Sequence, residues 1–162
     1  MKNYFFNILF LLGFLVSPLH ADEKSKAADD ANLYIISPLD GETVSSPVKI
    51  VFGLSGMGVA PAGLKFNNTG HHHLLIDVTK LPDINSPIPS DDNYRHFGKG
   101  QTEAVIELEP GEHTLQLMLG DHMHIPHDPV VVSKKIKINV EGKQISPQQE
   151  TQCISNGYGG CK

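Results

Sequence analysis

The sequence has no tryptophan and only two cysteines, Cys153 and Cys161, both within its last ten residues. Without tryptophan, the Cys…Trp…Cys signature of antibody-type domains is excluded. The two cysteines are not spaced as C-x-x-C, which argues against a thiolate metal site or a dithiol redox motif. In an oxidising compartment they are expected to form a disulfide with each other and close a small loop. Basic residues are also scarce. Thirteen Lys and Arg stand against eighteen Asp and Glu, with no basic patch, so nucleic acid and anionic membrane are poor partners. No Ser-His-Asp order, G-x-S-x-G or P-loop is present, which puts a binding role ahead of an enzymatic one. After residue 16 no apolar run is long enough to span a membrane, so no transmembrane helix is expected in the mature chain.

The one long apolar run is "FFNILFLLGFLV", Phe5 to Val16, preceded by Lys2 and followed by "SPLHA". This reads as a secretory signal peptide over residues 1–21, cleaved after Ala21, and implies a periplasmic or secreted protein. Residues 22–32 are small and charged and read as a flexible leader. Residues 142–162, rich in Gly, Gln and Ser, read as a C-terminal tail holding the local disulfide.

Between them, residues 33–141 alternate with period two, and no amphipathic helix stands out. Strands are expected over 33–38, 47–54, 71–78, 101–108, 112–119 and 130–141. Val48, Ile50, Phe52 and Leu54 share one face, as do Leu74, Ile76 and Val78, then Ala104, Ile106 and Leu108, then Leu115, Leu117 and Leu119, and Ile136, Ile138 and Val140. "PLDGE" and "PGE" supply turns. The pattern predicts an all-β fold, an immunoglobulin-like antiparallel β-sandwich of about seven strands held by aliphatic packing.

Against this background the histidines are conspicuous. Seven of the nine lie in "GHHHLLIDV", "YRHFG" and "GDHMHIPHDP". In the expected topology the start of 71–78, the start of 101–108 and the end of 112–119 share one pole. His71, His72, His73, His96, His122, His124 and His127 therefore converge, while His113 falls at the opposite pole. His72 is in phase with Leu74 and Ile76 and should plug the end of the core. Imidazole is a common metal ligand, and a cluster without usable thiolates suits copper or zinc, copper first. The expected ligands are His71, His73, His96, His122, His124 and His127, with His73 and His122 foremost. His72, Asp121 and Asp128 would orient the ligand rings by hydrogen bonding. Met57, Met118 and Met123 are nearby thioethers, and packing is the simpler role for Met57 and Met118.

Two other readings stand beside the metal ion. In one, the histidines are structural and the domain is a non-enzymatic module of the cell envelope, binding an envelope protein or a glycan. In the other, the protein is a copper redox enzyme. A copper histidine brace would need His20 at the mature N-terminus, hence cleavage after Leu19, a poor cleavage site.

"ISPLDGETVSSPVKIVFGLSGMGVAPAG", "TGHHHLLID", "PIPSDDNYRHFGKGQTE" and "LEPGEHTLQLMLGDHMHIPHDPVVVSKKIKI" occur in this order. Together they resemble bacterial domain-of-unknown-function family 4399, over about residues 35–140. The resemblance implies a secreted or lipid-anchored protein and supplies no activity. The family pattern is matched at His71, His72, His73, His96, Phe97, Gly98, Asp121, His122, His124, His127, Asp128 and Pro129. It usually carries a polar residue where Met123 stands, which argues against Met123 as an essential ligand.

Overall fold

The computed structural model describes residues 24–142. The expected signal peptide and the Cys153–Cys161 pair lie outside the described residues. Those described form an all-β structure of nine strands in two sheets. They are β1 (Asn32–Ser37), β2 (Glu42–Ser45), β3 (Val48–Ser55), β4 (Gly58–Val59), β5 (Thr69–Ile76), β6 (Tyr94–Phe97), β7 (Glu103–Ile106), β8 (Gly111–Gly120) and β9 (Ile136–Glu141). Among the described residues, no helix is long and apolar enough to cross a membrane.

One sheet has the order β1-β3-β7. The other runs β2-β9-β8-β5-β4, with β6 also paired to β5. The two sheets bury a shared core. Leu33, Val48, Ile50 and Phe52 come from the smaller sheet, and Leu74, Ile76, Leu115, Leu117, Leu119, Ile136, Ile138 and Val140 from the larger. Period-two alternation puts these on the inner faces, and removing their apolar surface from water stabilises the sandwich.

Three strands are additional to those expected: β2, β4 and β6. They are short and carry too little alternation to signal themselves. Two of them also depart from a purely antiparallel arrangement. β2 pairs parallel with β9 and β4 pairs parallel with β5. The register of β1 breaks between Ile35 and Ser37. The chain then passes to the other sheet, and there β2 runs alongside β9. The strand expected over 130–141 is regular only from Ile136. In the preceding stretch the Ser133 hydroxyl accepts from the Leu117 amide at 2.8 Å, so a side chain replaces one rung of the ladder.

β5 is enclosed on every side. β8 pairs with it from His71 to Ile76 on one edge, and β6 and β4 cover the other. Its outer face is roofed as well. Leu75, Met118 and Ile88 form a second buried cluster, flanked by Val78, Tyr94, Val130 and Val132. The two long connections, before β6 and after β8, thus convert an outer sheet face into interior. That explains why seven consecutive residues of β5, Gly70–Ile76, are all buried.

Candidate metal centre

Alternation along β5 divides the three consecutive histidines. His72 points to the sandwich core, where it packs on Phe52 with ring centres 5.1 Å apart. Its Nδ1–H donates to the Gln101 carbonyl at 3.1 Å. His71 and His73 point to the other face, under the roof. Direct pairing adds the next ring, because His96 of β6 stands opposite His73 of β5. Opposite residues in adjacent strands project to the same side.

The fourth ring arrives on a turn. Past β8 the Asp121 carbonyl accepts from the His124 amide at 2.9 Å, and the Asp121 amide donates to the Ile125 carbonyl. His124 has φ +68°, in the left-handed region. This conformation turns its ring onto His71 and His96, at centre-to-centre distances of 4.9 and 4.7 Å.

His71, His73, His96 and His124 therefore make one packed group. Their ring centres are separated by 4.9 Å (71–73), 5.0 Å (71–96), 4.9 Å (71–124), 5.1 Å (73–96), 4.7 Å (96–124) and 6.1 Å (73–124). Four imidazoles bound tetrahedrally at about 2.0–2.1 Å would place their ring centres roughly 5 Å apart. Five separations are close to that value, and the sixth, between His73 and His124, is longer. His71, His73 and His96 each offer a ring nitrogen within 4.8 Å of the others. The Nε2 atoms of His71 and His73 are 3.0 Å apart.

Two glycines make room for the group. A Cβ on Gly120 would lie 2.9 Å from His73 Nε2, and one on Gly98 would overlap the His96 ring. The environment favours the neutral form of His71, His73 and His96. Burial, reinforced by His124 and His96, pushes the His71 pKa down to about 4. Burial, with His71, His96 and His124 around it, pushes His73 down to about 2. Burial, then His124, also lowers His96. Neutral imidazole is the form that binds a metal. The buried Nε2 of His96 has no hydrogen-bond partner among the described residues, and neither do the Nδ1 atoms of His71 and His73. A solvent-open cleft of about 430 Å³, lined by Asp91, Asp92, Tyr94 and Arg95, reaches His96.

The remaining expected ligands lie elsewhere. The His122 ring is not among the packed rings; its Nδ1 is 3.8 Å from Asp121 Oδ2, beyond hydrogen-bond length. His127 is buried beside Gly70, and its Nε2–H donates to the Thr69 carbonyl at 3.1 Å. Asp121 touches no imidazole at hydrogen-bonding distance. Its Oδ1 accepts from the amides of Met123 and Ile125, and its Oδ2 accepts from the Ser25 hydroxyl. Burial alone would raise the Asp121 pKa, but these bonds, from Ser25 first, hold it below the usual carboxylate range. Asp128 engages through its backbone, bonding to Ser25 and Ala27. Met118 is fully buried in the second cluster, and Met123 is exposed. His113 lies near the start of β8, where Asp77 Oδ2 and the Glu109 carbonyl accept from its two nitrogens.

Sequence reasoning missed Ser25, because residues 22–32 read as flexible. The capacity of Asp121 to bond two amides of its own turn was the available signal.

A family model described as "Domain of unknown function (DUF4399)" matches residues 50–141. No curated protein and no solved structure matches the chain.

Proposed function

The chain belongs to the DUF4399 family, a domain of unknown function, and for this member we propose binding of a transition-metal ion, copper before zinc, by His71, His73, His96 and His124. The observation that carries the proposal is the packing of four imidazoles from β5, β6 and the turn after β8 into one group, in which His71, His73 and His96 bring their ring nitrogens within 4.8 Å of one another and the His124 ring lies against them. An all-nitrogen donor set without thiolate suits Cu(II) and Zn(II). Among divalent ions at a nitrogen site Cu(II) binds more tightly than Zn(II), which places copper first. The cleft lined by His96 brings solvent to one ring of the group. We place the protein in the periplasm or outside the cell on the sequence of residues 1–21 alone. The strand orders β1-β3-β7 and β2-β9-β8-β5-β6 support an immunoglobulin-like reading of the sandwich.

One observation favours a second reading, in which the rings are a metal-free packing device. His71 and His73 satisfy one Nε2 each by hydrogen bonding to one another. Elemental analysis of protein exported to the periplasm and purified without a histidine tag separates the two. The metal reading expects close to one copper or zinc per chain, and the packing reading expects neither.

A further inference from the structure

The turn that carries His124 is tied to a distant part of the chain. Residues 25–27 run beside Asp128. The Asp128 amide donates to the Ser25 carbonyl at 2.9 Å, and the Ala27 amide donates to the Asp128 carbonyl at 3.0 Å. Lys26 and Asp128 form a parallel bridge. Within this arrangement the Ser25 hydroxyl donates to Asp121 Oδ2 at 2.7 Å, across 96 residues of sequence. Asp121 is only 4% exposed.

The other carboxylate oxygen, Oδ1, accepts from Met123 N at 2.8 Å and Ile125 N at 3.0 Å, the residues on either side of His124. His124 holds a left-handed backbone that is unfavourable for a residue with a Cβ. Such a conformation persists only where the surroundings over-determine it. Here the carboxylate fixes both neighbouring amides, and the His124 carbonyl accepts from Ile88 N at 2.9 Å. Ser25 in turn fixes the carboxylate, since a hydroxyl on Oδ2 restricts rotation of the group that bonds through Oδ1.

We infer that residues 25–27 are a clasp on the metal centre, in which Ser25, acting through Asp121, positions the His124 ring as the fourth ligand. This rests on the metal-binding reading. Ser25 and Asp121 touch no metal; they are positioning residues.

The test is a mutant cycle read by Cu(II) affinity. Ser25→Ala and Ser25→Thr are each made in the wild-type chain and in His124→Asn, chosen because asparagine tolerates the left-handed backbone. The inference expects Ser25→Ala to weaken Cu(II) binding about tenfold in the wild-type background, the worth of one charge-assisted hydrogen bond. Ser25→Thr, which keeps the hydroxyl, should restore it. In the His124→Asn background Ser25→Ala should change nothing further. An equal loss in both backgrounds, or no loss in either, overturns the inference. Should wild-type protein bind no Cu(II), the metal reading fails, and the clasp is then decided on metal-free protein by amide hydrogen exchange. Exchange at Met123 and Ile125 should speed up in Ser25→Ala while β9 is unchanged. Unaltered exchange at those two amides overturns the clasp independently of any metal.

Discussion

The Nε2 atoms of His71 and His73 stand 3.0 Å apart, with both rings almost wholly buried. Alternate residues on one strand share a face, so H-x-H on β5 aims two rings to the same side. A bond between two imidazole nitrogens needs one N–H and one lone pair. Two imidazolium rings at this distance would repel, so the pair is stable only with at most one charge.

This neutrality fixes the sign of a pH effect. A histidine with a depressed folded pKa binds more protons when unfolded, in the interval between the two values. Its contribution to stability is therefore complete above the unfolded pKa of 6.5 and is lost as the pH falls towards the folded value, about 4 for His71. For His71 alone the full loss amounts to roughly 3 kcal/mol. His73, depressed to about 2, carries the loss further down. The urea midpoint of metal-free protein should drop between about pH 7 and about pH 5. A midpoint constant across that range contradicts a buried neutral cluster.

His113 should behave in the opposite sense. Burial lowers its pKa, but the hydrogen bonds to Asp77 and to the Glu109 carbonyl outweigh it and leave the pKa raised. Both nitrogens face acceptors, which favours the charged form of the ring. Its contribution is complete below the unfolded pKa of 6.5 and fades as the pH rises through the folded one. His113→Gln should cost about 1 kcal/mol near pH 6 and much less at high pH, with metal affinity unchanged. A loss of metal binding in this variant would place His113 in the wrong part of the molecule.

Gly120→Ala should damage the cluster without removing a ligand. The new methyl would lie 2.9 Å from His73 Nε2 and 3.4 Å from Ile88 Cδ1, with the roof leaving the ring little room to retreat. Overpacking of this kind costs about 1–3 kcal/mol. Thermal unfolding should show that loss, and Cu(II) titration should show weakened binding. Full retention of both would mean that the ring moves aside freely.

Among the histidines themselves, His96→Ala and His122→Ala should part company. His96 packs on all three other rings of the group, and its buried Nε2 is unpartnered. His122 packs on none of them among the described contacts. Titration should show a large loss of affinity for His96→Ala and near wild-type affinity for His122→Ala. The reverse order would shift the centre from β6 to the turn after β8.

Much of this was legible in the sequence because period two is a strong signal. The inward sets of β3, β5, β8 and β9 follow directly from it, and so does the split of His72 from His71 and His73. The pairing of β5 with β8 was expected too, but the register that brings His71 opposite Gly120 is set by the structure. His96 was placed near the group only by proximity to β7, because four residues of β6 carry no clear alternation. The cluster lies at the end where β5 begins and β8 ends, as expected, with His71 and His73 on the face away from His72. The two long connections that roof that face were less accessible. Connections fold by specific hydrogen bonds that periodicity does not encode. His124 and His122 differ by two residues, yet one faces the cluster because of a left-handed backbone held by Asp121 and Ser25. The His122 ring, two residues earlier, does not pack on the other four among the described contacts.

The most direct test of the central claim is calorimetric titration of chelator-treated, tag-free protein with Cu(II) and with Zn(II), alongside His73→Ala, which removes the most buried of the four rings. One Cu(II) per wild-type chain at a Kd well below the millimolar range is expected, with weaker Zn(II) and loss of tight binding in the variant. Wild-type protein that binds neither ion below the millimolar range would contradict that claim.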